Sequence, residues 1–118
     1  MRESELERIL TIEIRKLGGR TYKWTSPGNA GVPDRIVFMP GGSIYFVELK
    51  TDTGKLSAQQ KIQINRLQDL GQTAMVVRGI RGLISFFMII GEMGTARRLE
   101  KRYAEGRKEV RPDEVHTT

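Results

Sequence analysis

Asp34, Glu48 and Lys50 are two acids and a base within 17 residues, spaced so that a hairpin would gather them at one site. Asp34 closes the loop SPGNAGVPD, residues 26–34, and opens a strand candidate at Arg35–Met39. Glu48 and Lys50 lie two apart on the following strand candidate, Ile44–Lys50, so their side chains share one face. The turn Pro40-Gly41-Gly42-Ser43 makes these strands a hairpin. The start of the first strand then opposes the end of the second, which brings Asp34 near Glu48. Two carboxylates beside one ammonium attract a divalent metal, and the lysine can touch a scissile phosphate or its attacking water. The same spacing also fits a strand-end salt bridge among Asp34, Arg35, Glu48 and Lys50.

Other chemistries are excluded by composition. The 118 residues contain no cysteine and one histidine, His116, two residues from the C-terminus. Thiol catalysis, disulfide frameworks and zinc ribbons therefore have no material to work with, and a histidine triad is not expected from a lone histidine where chains usually fray. Twenty Lys and Arg against 14 Asp and Glu give a net charge of +6, which favours a polyanionic partner. The longest apolar run, Leu83–Ile90, is broken by Ser85 and too short for a bilayer. No secretory signal is visible in MRESELERIL, so a cytoplasm-like compartment is expected.

The elements that must position the three residues follow from periodicity. Leu6, Ile9, Leu10, Ile14 and Leu17 recur at helical spacing over residues 3–17, and Gly18-Gly19 stops the helix. Arg20–Trp24 is a short strand. Ile44–Lys50 is apolar on both faces, which predicts a strand buried on both sides. Ser57 caps a helix to about Leu70, and Thr73–Arg78 is a further strand. Residues 80–90 fit a helix or a strand, and residues 95–110 are charged and helix-compatible, with a fraying tail after them. The order gives an α/β fold, a mixed sheet with helices on its faces.

Beyond the hairpin, a longer string of residues runs in order: ESELE at 3–7, Gly18-Gly19, Tyr22-Lys23, SPGNAGVPD at 26–34, FVELK at 46–50 and GKLSAQQ at 54–60. This string resembles the VRR-NUC family of the PD-(D/E)xK nucleases, over residues 3–80. The resemblance implies a restriction-endonuclease-like fold and Mg²⁺- or Mn²⁺-dependent phosphodiester hydrolysis. It implies that Asp34 and Glu48 hold the metal, with the Leu49 carbonyl completing the coordination. Lys50 matches the catalytic lysine, and Gln60 a glutamine that opens the next helix; Gln59 is its neighbour and alternative. Glu3 matches the first-helix carboxylate, although Glu7 shares its helical face and is the alternative ligand, while Glu5 points elsewhere. Glu13 sits among apolar neighbours and invites a lysine such as Lys16 or Lys23.

Lys23, Ser26, Asn29 and Lys55 border these motifs and are candidate DNA contacts. Trp24 fits either a core position or a base-stacking one. The domain expected from this reading is residues 1–90, a VRR-NUC-like nuclease, followed by a helical extension and tail over 91–118. The expected function is a phage- or prophage-encoded DNA endonuclease, structure-selective for branched DNA in the manner of Holliday-junction resolvases. The stand-alone form resembles family members that act as dimers, which implies a homodimer, and no membrane association is expected; Leu83–Ile90 is either its candidate interface or buried within the monomer. The rival readings are a non-catalytic nucleic-acid-binding module, an assembly protein with an incidental basic surface, and a nuclease acting on flaps or unbranched DNA.

Overall fold

Leu6, Ile9, Leu10 and Ile14 form one buried stripe along the first helix, α1 (Glu3–Lys16), in a computed structural model that describes residues 1–105. The rest of the expected helical stretch to Val110 and the tail with His116 lie outside the described residues. The chain divides into one unit spanning Met1–Gly79 and a second starting at Ile80.

In the first unit, α1 leads into β1 (Arg20–Lys23), β2 (Arg35–Phe38) and β3 (Ile44–Lys50), then α2 (Ala58–Asp69) and β4 (Ala74–Arg78). The sheet order is β1-β2-β3-β4, with the first two pairings antiparallel and β3–β4 parallel. A parallel neighbour requires a crossover, and α2 supplies it. The element order and the mixed sheet agree with the expectation from sequence, with strand ends shifted by one residue.

The sheet has two unlike faces. Val37, Val47 and Leu49 are fully buried, and the pairing of Arg35 with Val47 puts Arg35 on that face too. Arg35 reaches Glu7, so α1 covers this side. The opposite face carries Ile36, Phe46 and Glu48, and α2 approaches it at the Glu48 end through Gln60. Burial on both sides of β3 holds only for Val47, Glu48 and Leu49, whereas Ile44 is 43% exposed. Alternation had predicted a strand covered throughout. Ile64 is the one buried residue of α2, and that helix packs along β4, so α2 leaves the β1–β2 half of this face uncovered.

Glu13 is buried and pairs with Lys16 at 3.5 Å, one of the two partners its position invited.

The second unit resolves the ambiguity of residues 80–90. They form a helix, α3 (Gly79–Ile89), in which Ile80, Leu83, Ile84 and Phe87 are buried at helical spacing, with Phe86 beside them. Met88 and Ile89 remain exposed. A short helix α4 (Met93–Leu99) follows and runs into a π-helical segment, Glu100–Glu105. Arg81 donates to Glu100 at 2.7 Å, which pins α3 to that segment. Among the described residues, no helix is long and apolar enough to cross a membrane.

Candidate active site

The register of the hairpin decides where the acids sit. Arg35 pairs with Val47, so the residue before β2, Asp34, falls opposite Glu48. The Asp34 carboxylate accepts the Leu49 amide at 3.1 Å, and the Asp34 carbonyl accepts the Trp24 amide at 2.8 Å. Asp34 is thus anchored to β3 and to the end of β1 by two different groups.

Glu48 is the unusual residue of the site. It is a carboxylate 1% exposed in the middle of a sheet. Its Oε2 accepts Gln60 Nε2 at 3.0 Å and lies 3.6 Å from Lys50 Nζ. Its Oε1 is buried with no hydrogen-bond partner. Burial pushes the Glu48 carboxyl up to about 7, and the negative charge of Asp34 adds to this, while Lys50 pulls the other way and Glu3 contributes a smaller upward push. Proteins seldom keep a buried acid under such conditions unless something else satisfies it.

Gln60 is placed by two independent constraints. Its side chain closes the cap of α2, with Oε1 accepting the Ser57 amide at 2.9 Å and Ser57 Oγ accepting the Gln60 amide at 3.1 Å. The glycine loop presses on the same helix end. A Cβ at Gly31, which has φ +90°, would stand 2.5 Å from the Gln59 carbonyl carbon and 2.7 Å from the Gln60 nitrogen. Only glycine permits that contact. The loop before Asp34 and the helix carrying Gln60 therefore fix each other. Gln59, the neighbouring alternative, is exposed.

The first helix contributes unequally. Glu5 is bonded to Arg2 through the backbone amide and guanidinium, at 3.1 and 3.3 Å, which holds its carboxyl below the usual range. Glu7 is taken up by Arg35 on the opposite face of the sheet, and Arg35 also reaches Thr21 Oγ1 at 3.5 Å. Glu3 is exposed, yet its charge is felt at Glu48. Among the described residues, no three of Asp, Glu, His and Cys gather as a metal cage. Asp34 and Glu48 come together, and Glu3 does not complete a triad with them.

Those donors fit a hard divalent ion. Mg²⁺ is commonly held by one or two carboxylates, with water and substrate phosphate filling the other positions, rather than by a dedicated cage. The buried Glu48 Oε1, without a hydrogen-bond partner and beside the Asp34 charge, is an oxygen that such an ion would fit.

Lys23 and Lys55 are exposed, as is Asn29, whose Nδ2 donates to Ser26 Oγ at 3.0 Å. The latter pair closes the tip of the glycine loop. Trp24 is half-buried, with its ring centroid 5.5 Å from that of Phe46. Arg35 and Gly31 were missed as positioning residues when reading the sequence. The sign of both was present only as adjacency to Asp34, since their partners Glu7 and Gln60 lie 28 and 29 positions away.

A family model for the VRR-NUC domain matches residues 3–80, a span that includes every element of this site. The chain belongs to the VRR-NUC family. The match covers the first unit and stops one residue into the second. A relative, "Putative nuclease p44" of Acyrthosiphon pisum secondary endosymbiont phage 1, is 44% identical over 77 residues, which is 65% of this chain and 83% of that protein. Two solved structures described as a VRR_NUC domain and a VRR_NUC domain protein share the fold. The first has a TM-score of 0.62 at 24% identity and covers 86% of this chain and 96% of its own. The second has a TM-score of 0.61 at 23% identity, covering 75% and 86%.

Proposed function

We propose that this VRR-NUC protein is a divalent-metal-dependent DNA endonuclease whose centre is Asp34, Glu48 and Lys50, supported by Gln60. The observation that carries the reading is the buried Glu48 Oε1 that has no partner, beside the Asp34 carboxylate and within one ion pair of Lys50. Asp34, Glu48 and the Leu49 carbonyl would hold Mg²⁺ or Mn²⁺, with Glu3 as the first-helix carboxylate nearest the site. When bound, such an ion supplies an acidified water and positive charge at the phosphate.

The chain's own residues do the rest. Lys50 orients the attacking water and offsets charge that builds on the phosphate in the transition state. Gln60 keeps Glu48 in the rotamer that faces Asp34. The amides of the glycine loop, with Ser26, Asn29, Lys23 and Lys55, would contact the DNA backbone. Glu7 is better read as the partner of Arg35 than as a ligand, because its carboxylate is already committed there.

The substrate we propose is branched DNA, and the proposed form is a homodimer. Paired incisions in opposed strands of a four-way junction need two sites, and one copy of Glu48-Leu49-Lys50 supplies one. The exposed Met88 and Ile89 on α3 are available for such a contact. The related phage protein makes a phage or prophage origin, acting in a bacterial cytoplasm, the natural setting. A cleavage assay on labelled DNA with Mg²⁺ and with excess EDTA tests the reading. Cutting only with Mg²⁺ is expected. Cutting that persists in EDTA removes the metal, and DNA binding without any cutting leaves a binding module.

A further inference from the structure

The face of the sheet that bears Asp34 and Glu48 continues as an open aromatic surface. The register places Tyr22 beside Ile36 and Ile36 beside Phe46, with Phe38 beside Ile44 on the same side. Tyr22 is 58% exposed, Ile44 43% and Phe38 39%, whereas Val37 and Val47 on the reverse face are fully buried. Tyr22 and Phe38 meet edge-on at 5.8 Å, and Trp24 lies over Phe46 at 5.5 Å. A stable monomer rarely leaves a contiguous set of rings to water without a use for it.

The rings are fixed to the site. The Trp24 amide donates to the Asp34 carbonyl at 2.8 Å, and Phe46 is two residues before Glu48 on the same strand face. Apart from the two acids, the charges on this face are cationic: exposed Arg20 beside Phe38, and Lys50 and Arg78 at the β3–β4 end, whereas Lys23 pairs with Arg35 on the reverse face. Along this face the registers put no carboxylate other than Asp34 and Glu48. Planar rings bordered by cations and running into a phosphate-cutting centre are what unpaired nucleic acid binds, with bases stacked on rings and phosphates on cations.

We propose that Tyr22, Trp24, Phe38 and Phe46 form a ledge on which unpaired nucleobases of the substrate strand stack beside the scissile phosphate. The proposal rests on the nuclease reading of the adjacent site. It refines the substrate within the branched class, because a strand with unstacked bases can use the ledge and an intact duplex keeps its bases to itself. A second copy of the chain is a poorer occupant, since two such faces meeting would bring the cations of each, Arg20 among them, toward those of the other.

The test uses the full chain in EDTA, where binding is read without cutting. Trp24 is the only tryptophan, so its fluorescence reports the ledge directly. A labelled oligo(dT) strand and a hairpin duplex of equal phosphate count are the probes. The expected result is quenching of Trp24 by the single strand and not by the duplex. The variants Tyr22→Ala and Phe38→Ala should each weaken single-strand binding about tenfold and leave duplex binding unchanged, while Tyr22→Phe retains it. Equal loss for both probes, or no loss for either, overturns the ledge. So does a fall in sedimentation mass on Tyr22→Ala, which would assign the face to a second copy. Metal-dependent cutting of branched DNA is a separate readout, and its absence would overturn the nuclease reading while leaving the binding result interpretable.

Discussion

The Gln60 side-chain amide donates to the Glu48 carboxylate at 3.0 Å while its oxygen closes the cap of α2. One residue thus bonds the crossover helix to the buried acid of β3. Removing it frees both ends.

Gln60→Ala should lower the single-turnover cutting rate about 10- to 100-fold, the usual effect of losing a group that orients a ligand. Loss of the cap should also cost about 1 kcal/mol of stability. Restoring stability by other means should not restore the rate. A variant that loses stability alone would make Gln60 a cap and nothing more.

Lys50→Ala should depress the chemical step by orders of magnitude with little effect on metal affinity. Lys50→Arg should not rescue it, because a planar fork cannot replace a compact ammonium beside Glu48. Wild-type rates under single-turnover conditions in Lys50→Ala would remove the proposed role.

The two first-helix acids should separate by readout. Glu7→Gln strands Arg35, whose Nε is already buried without a partner, and should cost about 1–2 kcal/mol in denaturant unfolding. Glu3 is exposed, so Glu3→Gln should leave stability unchanged and impair cutting more than Glu7→Gln does. Glu5→Gln should do little to cutting. The reverse ranking in a cleavage assay would move the ligand to Glu7.

The metal-free protein should lose stability as the pH rises toward neutrality. With its carboxyl pushed from 4.5 to about 7, Glu48 stays protonated in the fold where the unfolded chain has ionised. The folded state therefore holds an extra proton between those values. The contribution is whole below about 4.5 and is lost as the pH passes about 7. Urea midpoints measured in EDTA should fall across this window in the wild type and fall less in Glu48→Gln. Parallel curves for the two proteins would show that Glu48 titrates normally.

The core of the site was legible because a hairpin is local. A turn of four residues sets Asp34 against Glu48, and strand alternation sets Glu48 and Lys50 on one side. Gln60 was reached through the family resemblance, and its bond to Glu48 shows why the glutamine opens that helix. What sequence could not supply depends on approach between distant segments. The Arg35–Glu7 pair and the Gly31 contact with α2 join positions with no shared periodicity. Alternation also overstated the cover on β3. Apolar residues on both faces predict burial on both, but Tyr22, Phe38 and Ile44 face a side that α2 covers only at one end. Residues 80–90 are too uniformly apolar for periodicity to choose, and the burial of Ile80, Leu83, Ile84 and Phe87 makes the choice in three dimensions.

Asp34 and Glu48 together are proposed to hold the divalent ion at which DNA is cut. Single-turnover cleavage of a labelled branched substrate, measured across Mg²⁺ concentrations for the wild type, Asp34→Asn and Glu48→Gln, tests it most directly. Saturable Mg²⁺ dependence is expected in the wild type and no cutting at any Mg²⁺ concentration in either variant, with both variants folded and still binding DNA. Cutting by Glu48→Gln or Asp34→Asn at the wild-type rate would contradict it.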